Sequence, residues 1–469
     1  MEKDIGKKAF KSGVWYTACN FLVKSIGFIS TPIFTRLLTQ HEFGLYNNYL
    51  SWMSLFTVFI TINFEASLIS AKHDFEKDFS KYVFSLVALT GLIGSVWMVI
   101  FNGLHAFITV YTNVDQMCLN SMVLYIVFSA IINIYQAKER YEYEYKKTVT
   151  VSLIISIVST LLSVLLVLCM NDKLYGRVLG NVIPNVLLGV ICLYLLREEI
   201  NCNYIKYWKY ALKVCLPYIP HVLAGSVLGS IDRIMIQKYW GSTSTALYSL
   251  AYNCGLMVSI LALSINNAFS PWLSDKLNSN EFEEIRRVSK VYVSIFMYCA
   301  IGIMLISPEV LYILGGENYI ESKYVISPVA MGCVCQLIYT LYVNVEQVKK
   351  KTIGMAGATV IAAVVNYVLN YLFIPSIGYL AAAYTTLIGY FCLLLVHMLI
   401  VKKIKFGHLY DNIFMFGVLI IGCIAMIFIT LSYSYNLYRY IAIVIYIVVT
   451  LLLLHRYKTT IKQYIKKRR

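Results

Sequence analysis

The sequence predicts an all-α, polytopic membrane protein with fourteen transmembrane helices: two pseudo-symmetric six-helix lobes followed by two C-terminal helices. Three observations predict this fold class. Hydrophobic residues make up 59% of the 469 residues and charged residues only 14%, whereas soluble domains carry about 25% charged residues. Apolar segments long enough to cross a bilayer recur along the whole chain. Lys and Arg concentrate in every second connecting segment.

Fourteen apolar segments account for most of the chain. Each is predicted to be a helix, because backbone that faces lipid must satisfy its own hydrogen bonds. The segments cover residues 13–34, 43–71, 82–104, 117–137, 148–170, 178–196, 211–236, 243–270, 291–314, 324–346, 353–374, 379–401, 411–431 and 437–455.

The distribution of Lys and Arg predicts the orientation of these helices. With both termini in the cytoplasm, the cytoplasmic segments carry 32 of the 40 basic residues and the outer loops carry 6. The remaining 2, Lys24 and Arg233, lie inside predicted helices. This bias is typical of multi-pass membrane proteins. It explains the net charge of +16 without a nucleic-acid partner, and the basic tail Lys466–Arg469 belongs to the same pattern.

A weak internal repeat divides the chain into lobes. Residues 44–46 (Gly-Leu-Tyr) recur as residues 246–248 (Ala-Leu-Tyr), and Lys147-Thr148 recurs as Lys351-Thr352, at offsets of about 200 residues. The predicted lobes are residues 1–210 and 211–405, and residues 406–469 hold the last two helices and the basic tail. Six helices separate the copies, so the repeat is parallel, as in transporters with a central site between two lobes.

Polar side chains on the first two helices are the first candidates for that site. A charge near the bilayer centre costs about 2.5–3.5 kcal/mol, and such residues usually face a bundle interior or a watery cavity. Asn20, Lys24 and Thr31 follow one stripe of the first helix. We interpret Lys24 as facing a hydrated cavity that attracts an anion; the alternative is a lysine paired with a buried acid. On the second helix, Glu65 is a candidate for ion coupling or for an ion pair with Lys24.

The seventh helix carries His221, Asp232 and Arg233. Adjacent residues point about 100° apart on a helix, so Asp232 and Arg233 are not expected simply to neutralise each other. Asp232 is a second candidate for coupling or an ion pair. Further polar candidates lie on later helices: Gln336 on the tenth, and Asn366 and Asn370 on one face of the eleventh, where amides commonly join helices. Some of the 39 tyrosines are candidates for stacking on sugars.

Catalytic and cofactor motifs are absent from the sequence. The seven His residues form no metal-binding spacing, and there is no phosphate-binding loop. We therefore predict no metal and no cofactor. The connecting loops are short, which argues against a catalytic domain outside the membrane.

Several motifs resemble those of bacterial polysaccharide-repeat-unit flippases of the Wzx type, within the multidrug/oligosaccharidyl-lipid/polysaccharide exporter superfamily. The first outer loop, residues 36–46, carries RLL followed by EFGLY, and the Asp232-Arg233 pair is similar to the family's acid–arginine pair. Residues 315–319 (GGENY) resemble the loop before the tenth helix. The strongest likeness is residues 366–383, which begin with NYVLN.

The resemblance implies a bacterial inner-membrane flippase that moves undecaprenyl-pyrophosphate-linked oligosaccharide to the outer leaflet by alternating access. Such a protein would serve O-antigen (lipopolysaccharide), capsule or exopolysaccharide synthesis and would work beside the polysaccharide polymerase machinery. Lys24 and Arg233 would then form a cationic cavity for the pyrophosphate. The alternatives are a drug or cation antiporter of the same superfamily, a lipid II flippase and, from a different class, a membrane polysaccharide polymerase.

Overall fold

The computed structural model describes residues 2–142, 144–197 and 204–467, with side chains for 15–142, 144–197, 204–267, 269–351 and 354–456. Within these ranges the chain is helical and contains no strand, which confirms the predicted fold class. Of the basic tail, Arg468, Arg469 and the side chains of Lys466 and Lys467 lie outside the described residues.

Eighteen α-helices follow one another along the described residues. Their bounds are α1 Glu2–Leu37, α2 Gln40–Thr61, α3 Leu68–Asp74, α4 Phe79–Gly103, α5 His105–Thr112, α6 Gln116–Tyr141, α7 Tyr145–Cys169, α8 Lys173–Leu195, α9 Tyr204–Cys215, α10 Ile219–Gly255, α11 Met257–Asn278, α12 Phe282–Leu305, α13 Ser307–Gly315, α14 Lys323–Val348, α15 Thr352–Ile377, α16 Tyr379–Lys403, α17 Asn412–Ser432 and α18 Asn436–Lys467.

Twelve stretches of the described helices are long and apolar enough to cross a membrane, or thirteen if α2 and the bent segment after it form one span. The seventh and eighth predicted helices fall within one stretch, Tyr204–Asn278. Each predicted segment is therefore mostly helical, while the count of fourteen remains a prediction.

Two breaks shape the first half of the chain. α2 ends where Ile62 and Asn63 adopt left-handed backbone, with φ of 48° and 53°, and the next helical segment is bent by 44°. A β-branched residue rarely adopts this conformation, so the break at Ile62 is strained. In α10, Gly241 (φ 76°, ψ −175°) interrupts the helical geometry.

The helices form two compact units. The first contains Met1–Ser249 and Ile353–Thr385, and the second contains Leu250–Thr352 and Thr386–Arg469. The first unit has one apolar core around Phe64, Tyr82 and Ile131 and another around Phe101 and Met122. The core of the second unit contains Phe269, Phe296, Met331, Tyr342 and Met415, among others. These units do not coincide with the predicted lobes, and the division into lobes remains a prediction.

Candidate functional site

Asp232 and Arg233 lie side by side on α10, in different surroundings. Asp232 is fully buried, and its carboxylate accepts a hydrogen bond from the hydroxyl of the equally buried Tyr248. Arg233 is half-buried. Its guanidinium donates to the carbonyl oxygen of Gly229 at 2.8 Å and lies 5.8 Å from the centre of the Tyr248 ring. The hydrogen bond from Tyr248 lowers the free-energy cost of burying the Asp232 carboxylate inside the membrane.

The two asparagines of α15 belong to a buried polar cluster. The amide of Asn370 donates to Oδ1 of Asn366 at 3.2 Å, and the hydroxyl of Thr385 on α16 donates to Oδ1 of Asn370. All three residues are buried. The cluster therefore joins α15 to α16, because an unpaired amide in an apolar interior would be costly.

The polar stripe of α1 is more open. Asn20 and Lys24 are exposed, and Thr31 is half-buried. The hydroxyl of Thr31 donates to the carbonyl oxygen of Gly27 at 2.9 Å. No ion pair within 4.0 Å joins Lys24 to Glu65 among the described residues. Lys24 is thus placed on an accessible face of its helix.

Glu65 lines a small polar cavity in the first unit. It lies in a short 3₁₀ turn, Phe64–Ser67, directly after the strained break that ends α2. The cavity has a volume of about 80 Å³, and its polar wall consists of Thr57, Thr61, Asn63, Glu65, Thr90 and Asn133. A space of this size holds a few water molecules beside the carboxylate.

A larger cavity of about 160 Å³ lies between α2, α5, α10 and α15 of the first unit. We call it the tyrosine cavity. Its aromatic wall consists of Trp52, Tyr111, Tyr239, Tyr367 and Tyr371, and its polar groups come from Asn48, Thr112, Asn113, Gln237 and Lys238. The amide of Asn48 donates to the backbone carbonyl of Thr112 at 2.7 Å, which fixes one side of the wall. Apolar rings with a few placed polar groups are typical of ligand sites.

His221 and Gln336 lie away from these cavities. His221, near the start of α10, is half-buried and packs edge-on against the ring of Tyr218, with centroids 5.5 Å apart. Gln336 on α14 is half-buried, and its backbone carbonyl accepts from the hydroxyl of Thr340 at 2.7 Å. The structure therefore groups Asn366 with Asn370, and Asp232 with Tyr248.

The structure also shows buried or half-buried ionisable residues that the sequence analysis missed. Glu346 and His397 form a buried pair in the second unit. Arg177, one of the six basic residues assigned to outer loops, is half-buried in α8, with its guanidinium 3.6 Å from the centre of the Phe34 ring. Arg439, also counted in an outer loop, is a buried residue of α18. Treating every ionisable residue within two turns of an apolar segment as intramembrane would have found all four.

Comparisons with known proteins identify the fold. The chain superposes on the lipid II flippase MurJ in its inward closed conformation with a TM-score of 0.75 and 15% sequence identity, covering 96% of this chain and 100% of that one. At this identity the likeness concerns the fold alone. A family model named MatE matches residues 217–372, and a family model described as polysaccharide biosynthesis protein matches residues 9–277, more than half of the chain.

Two curated relatives match shorter stretches. Protein 1 of the Lsg locus of Haemophilus influenzae is 28% identical over 138 residues, which cover 29% of this chain and 34% of the relative. The probable low-salt glycan biosynthesis flippase Agl15 of Haloferax volcanii is 23% identical over 172 residues, 36% of either chain. This chain therefore matches about a third of the length of these relatives.

Together, the helices and the superposition define a multi-pass helical membrane protein with the fold of lipid and drug transporters. Within that class, the chain belongs to the polysaccharide biosynthesis protein family.

Proposed function

We propose that the protein is a flippase that moves undecaprenyl-pyrophosphate-linked oligosaccharide from the cytoplasmic to the outer leaflet of a bacterial inner membrane, with both termini in the cytoplasm. One observation carries the proposal: a chain that belongs to a polysaccharide biosynthesis family has the fold of a lipid II flippase over 96% of its length. A protein made of membrane helices with short loops is suited to moving such a lipid rather than to building its glycan.

The tyrosine cavity supports a sugar-containing substrate. Five aromatic rings around the cavity offer flat apolar faces, and the amides of Asn48, Asn113 and Gln237 offer donors and acceptors. Tyr and Trp combine an apolar ring with a polar group, which suits a ligand that presents both C–H faces and hydroxyls. Lys238 adds a positive charge at the same cavity.

Lys24 and Arg233 are proposed to bind the pyrophosphate. Lys24 is exposed on α1 and Arg233 is half-buried on α10, so both remain accessible enough to meet an anion. A positive charge in a partly dehydrated cavity attracts a phosphate strongly. Asn20 and Thr31 share the face of Lys24, while Glu65 and Asp232 are candidates for coupling this movement to an ion gradient. The polysaccharide polymerase machinery is a candidate partner that would receive the translocated units.

The test replaces both cations. A flippase-null strain expressing Lys24→Ala/Arg233→Ala at normal membrane levels is expected to display at least about tenfold less surface polysaccharide than one expressing the wild type, because each lost charge contact to a phosphate costs about 1–3 kcal/mol. The control is Lys146→Ala/Lys403→Ala, which removes the same charge from exposed lysines of predicted cytoplasmic segments. Full complementation by the first double variant would exclude the cationic site.

A drug or cation antiporter is the second candidate, favoured by the MatE match over residues 217–372. The same strains distinguish the two functions. An antiporter would raise resistance to cationic drugs without restoring surface polysaccharide, whereas a flippase would restore polysaccharide and leave drug resistance unchanged.

A further inference from the structure

We propose that Glu346 and His397 form a proton-binding site that couples transport to a proton gradient. This inference rests on the proposed function, since coupling is meaningful only for a transporter. The proposed proton site lies in the second unit. It is therefore separate from Glu65 and Asp232, the coupling candidates in the first unit.

The pair is enclosed by protein. Oε1 of Glu346 on α14 lies 2.8 Å from Nδ1 of His397 on α16, and the side chains are only 0% and 3% exposed. The ring of Tyr339 stacks on the imidazole at a centroid distance of 5.6 Å and an interplanar angle of 17°. Oε2 of Glu346 is buried and has no hydrogen-bond partner among the described residues. A carboxylate placed only for structure would be expected to have both oxygens bonded.

No other charged side chain forms an ion pair with Glu346 or His397 within the described part of the chain. α14 packs against α11, α12 and α17. Several charged residues near the ends of these helices pair with one another: Lys276 with Glu281 and Glu284, Arg286 with Glu283, and Lys290 with Asp411 at the N-terminus of α17. From α11, Asn266 accepts from Asn344. From α16, Tyr390 stacks on Tyr339. Within 4.0 Å, Glu346 and His397 pair only with each other in the described chain.

One proton therefore decides the net charge of the site. With the proton bound, imidazolium and carboxylate form a neutral pair; without it, a neutral imidazole leaves one buried negative charge. A buried net charge is costly, so the enclosed conformation favours the protonated pair. Histidine is the residue whose charge changes in the range from about pH 5 to 8. The pair of Arg439 and Glu309 in the same unit differs from this pair, because an arginine stays charged throughout that pH range.

The coupling cycle needs no other reactant. A proton from the outer side binds the pair, the enclosed neutral pair persists while the transporter changes conformation, and the same proton leaves to the cytoplasm once water reaches the site. α14 ends at Val348, two residues beyond Glu346. The Lys-rich segment 349–351 that follows is predicted to be cytoplasmic, so the exit path on that side is short.

The first test measures proton binding directly and needs no substrate. The full-length protein is purified with ¹⁵N-labelled histidine, and the ring signal of His397 is assigned with His397→Gln and followed from about pH 5 to about pH 9. We expect this ring signal to change with pH in the wild type, and the midpoint of the change to differ in Glu346→Gln, because the carboxylate that pairs with the imidazole is gone. Asn344→Ala is the matched control: it breaks a buried side-chain hydrogen bond of the same helix without removing an ionisable group. A His397 signal that does not titrate in the wild type, or a midpoint that Glu346→Gln leaves in place, would overturn the site.

The second test measures coupling in cells. In a flippase-null strain, surface polysaccharide supported by the wild type is expected to fall by up to about tenfold per unit rise of external pH, the limit for one bound proton. Glu346→Gln and His397→Gln are expected to support little export at every pH, whereas Asn344→Ala keeps the wild-type profile. Variants with wild-type export and an unchanged pH profile would refute coupling. A wild type that restores no polysaccharide would refute the proposed function instead, and the first test would still decide whether the pair binds a proton.

Discussion

At the scale of single residues, Gly44 on α2 lies close against the backbone of Ser242, which follows the break in α10. A Cβ atom on Gly44 would lie 1.8 Å from the carbonyl oxygen of Ser242 and 2.5 Å from its carbonyl carbon. Backbone atoms cannot rotate away as a side chain would, so any larger residue at position 44 must push the two helices apart.

We therefore predict that Gly44→Ala lowers the free energy of unfolding by about 3 kcal/mol, the upper end of typical overpacking costs. Thermal unfolding of the purified protein in detergent measures the change. The matched control is Gly225→Ala, since a Cβ there meets no atom within 4 Å; this variant should be neutral or slightly stabilised through helix propensity. Equal melting temperatures for the two variants would show that α2 and Ser242 are not in contact.

The residues that the sequence flagged differ in how much of their setting was predictable. The spacing of Asn366 and Asn370 placed them on one face, and the hydrogen bond between them follows from that spacing. The partners Tyr248 of Asp232 and His397 of Glu346 lie 16 and 51 positions away. The first pairing spans the break at Gly241 within α10, and the second joins α14 to α16; helical periodicity specifies neither.

At the scale of elements, Tyr433 at the end of α17 connects three other helices of the second unit. Its hydroxyl donates to the carbonyl oxygen of Met304 at the end of α12, at 2.6 Å. The hydroxyl of Ser307 on α13 donates to it at 2.6 Å, and that of Ser327 on α14 lies 2.8 Å away. One phenol therefore satisfies polar groups from several helix ends in an apolar interior.

Replacing Tyr433 by Phe keeps the ring and removes this hydroxyl. We expect the free energy of unfolding to fall by about 1–3 kcal/mol, because buried groups on Met304, Ser307 and Ser327 lose a partner. Chemical denaturation in detergent provides the measurement. Tyr438→Phe, at a residue that is 67% exposed, is the control and should leave stability unchanged. A Tyr433→Phe variant as stable as this control would contradict the role of the hydroxyl.

Element boundaries show what apolar segments can and cannot specify. The fifth segment, 148–170, lies almost wholly within α7, Tyr145–Cys169. The sixth segment, 178–196, begins five residues after the first residue of α8, Lys173. The helix extends beyond its apolar part at this end, where it contains the charged residues Lys173 and Arg177. The left-handed break at Ile62 was not predicted, since neither Gly nor Pro marks it and an Ile there is strained.

At the scale of the whole molecule, hydrophobicity and basic loops predicted the fold class because both arise from the bilayer rather than from packing. The two compact units depend on packing. Residues 353–385 join the first unit although they follow more than 100 residues of the second. Their amide cluster contains Asn370 and Thr385, and the Trp240 indole donates to the carbonyl oxygen of Ile374 at 2.8 Å. Contacts between residues so distant in sequence leave no periodic signal.

The orientation of the molecule can be tested with one of its own cysteines. Among the described cysteines, Cys169 at the end of α7 is the one that is exposed. Four predicted helices precede the fifth, 148–170, and Cys169 lies at the end of that fifth helix, so with the N-terminus in the cytoplasm it lies on the outer side. We predict that a membrane-impermeant maleimide labels intact cells expressing Cys202→Ser, a background that removes the cysteine outside the described residues. Labelling should disappear in Cys169→Ser/Cys202→Ser, because the other described cysteines are buried or half-buried in helices.

Labelling that appears only after the membrane is opened would place the loop between α7 and α8 in the cytoplasm. The excess of Lys and Arg would then lie outside, against the rule that basic loops remain in the cytoplasm.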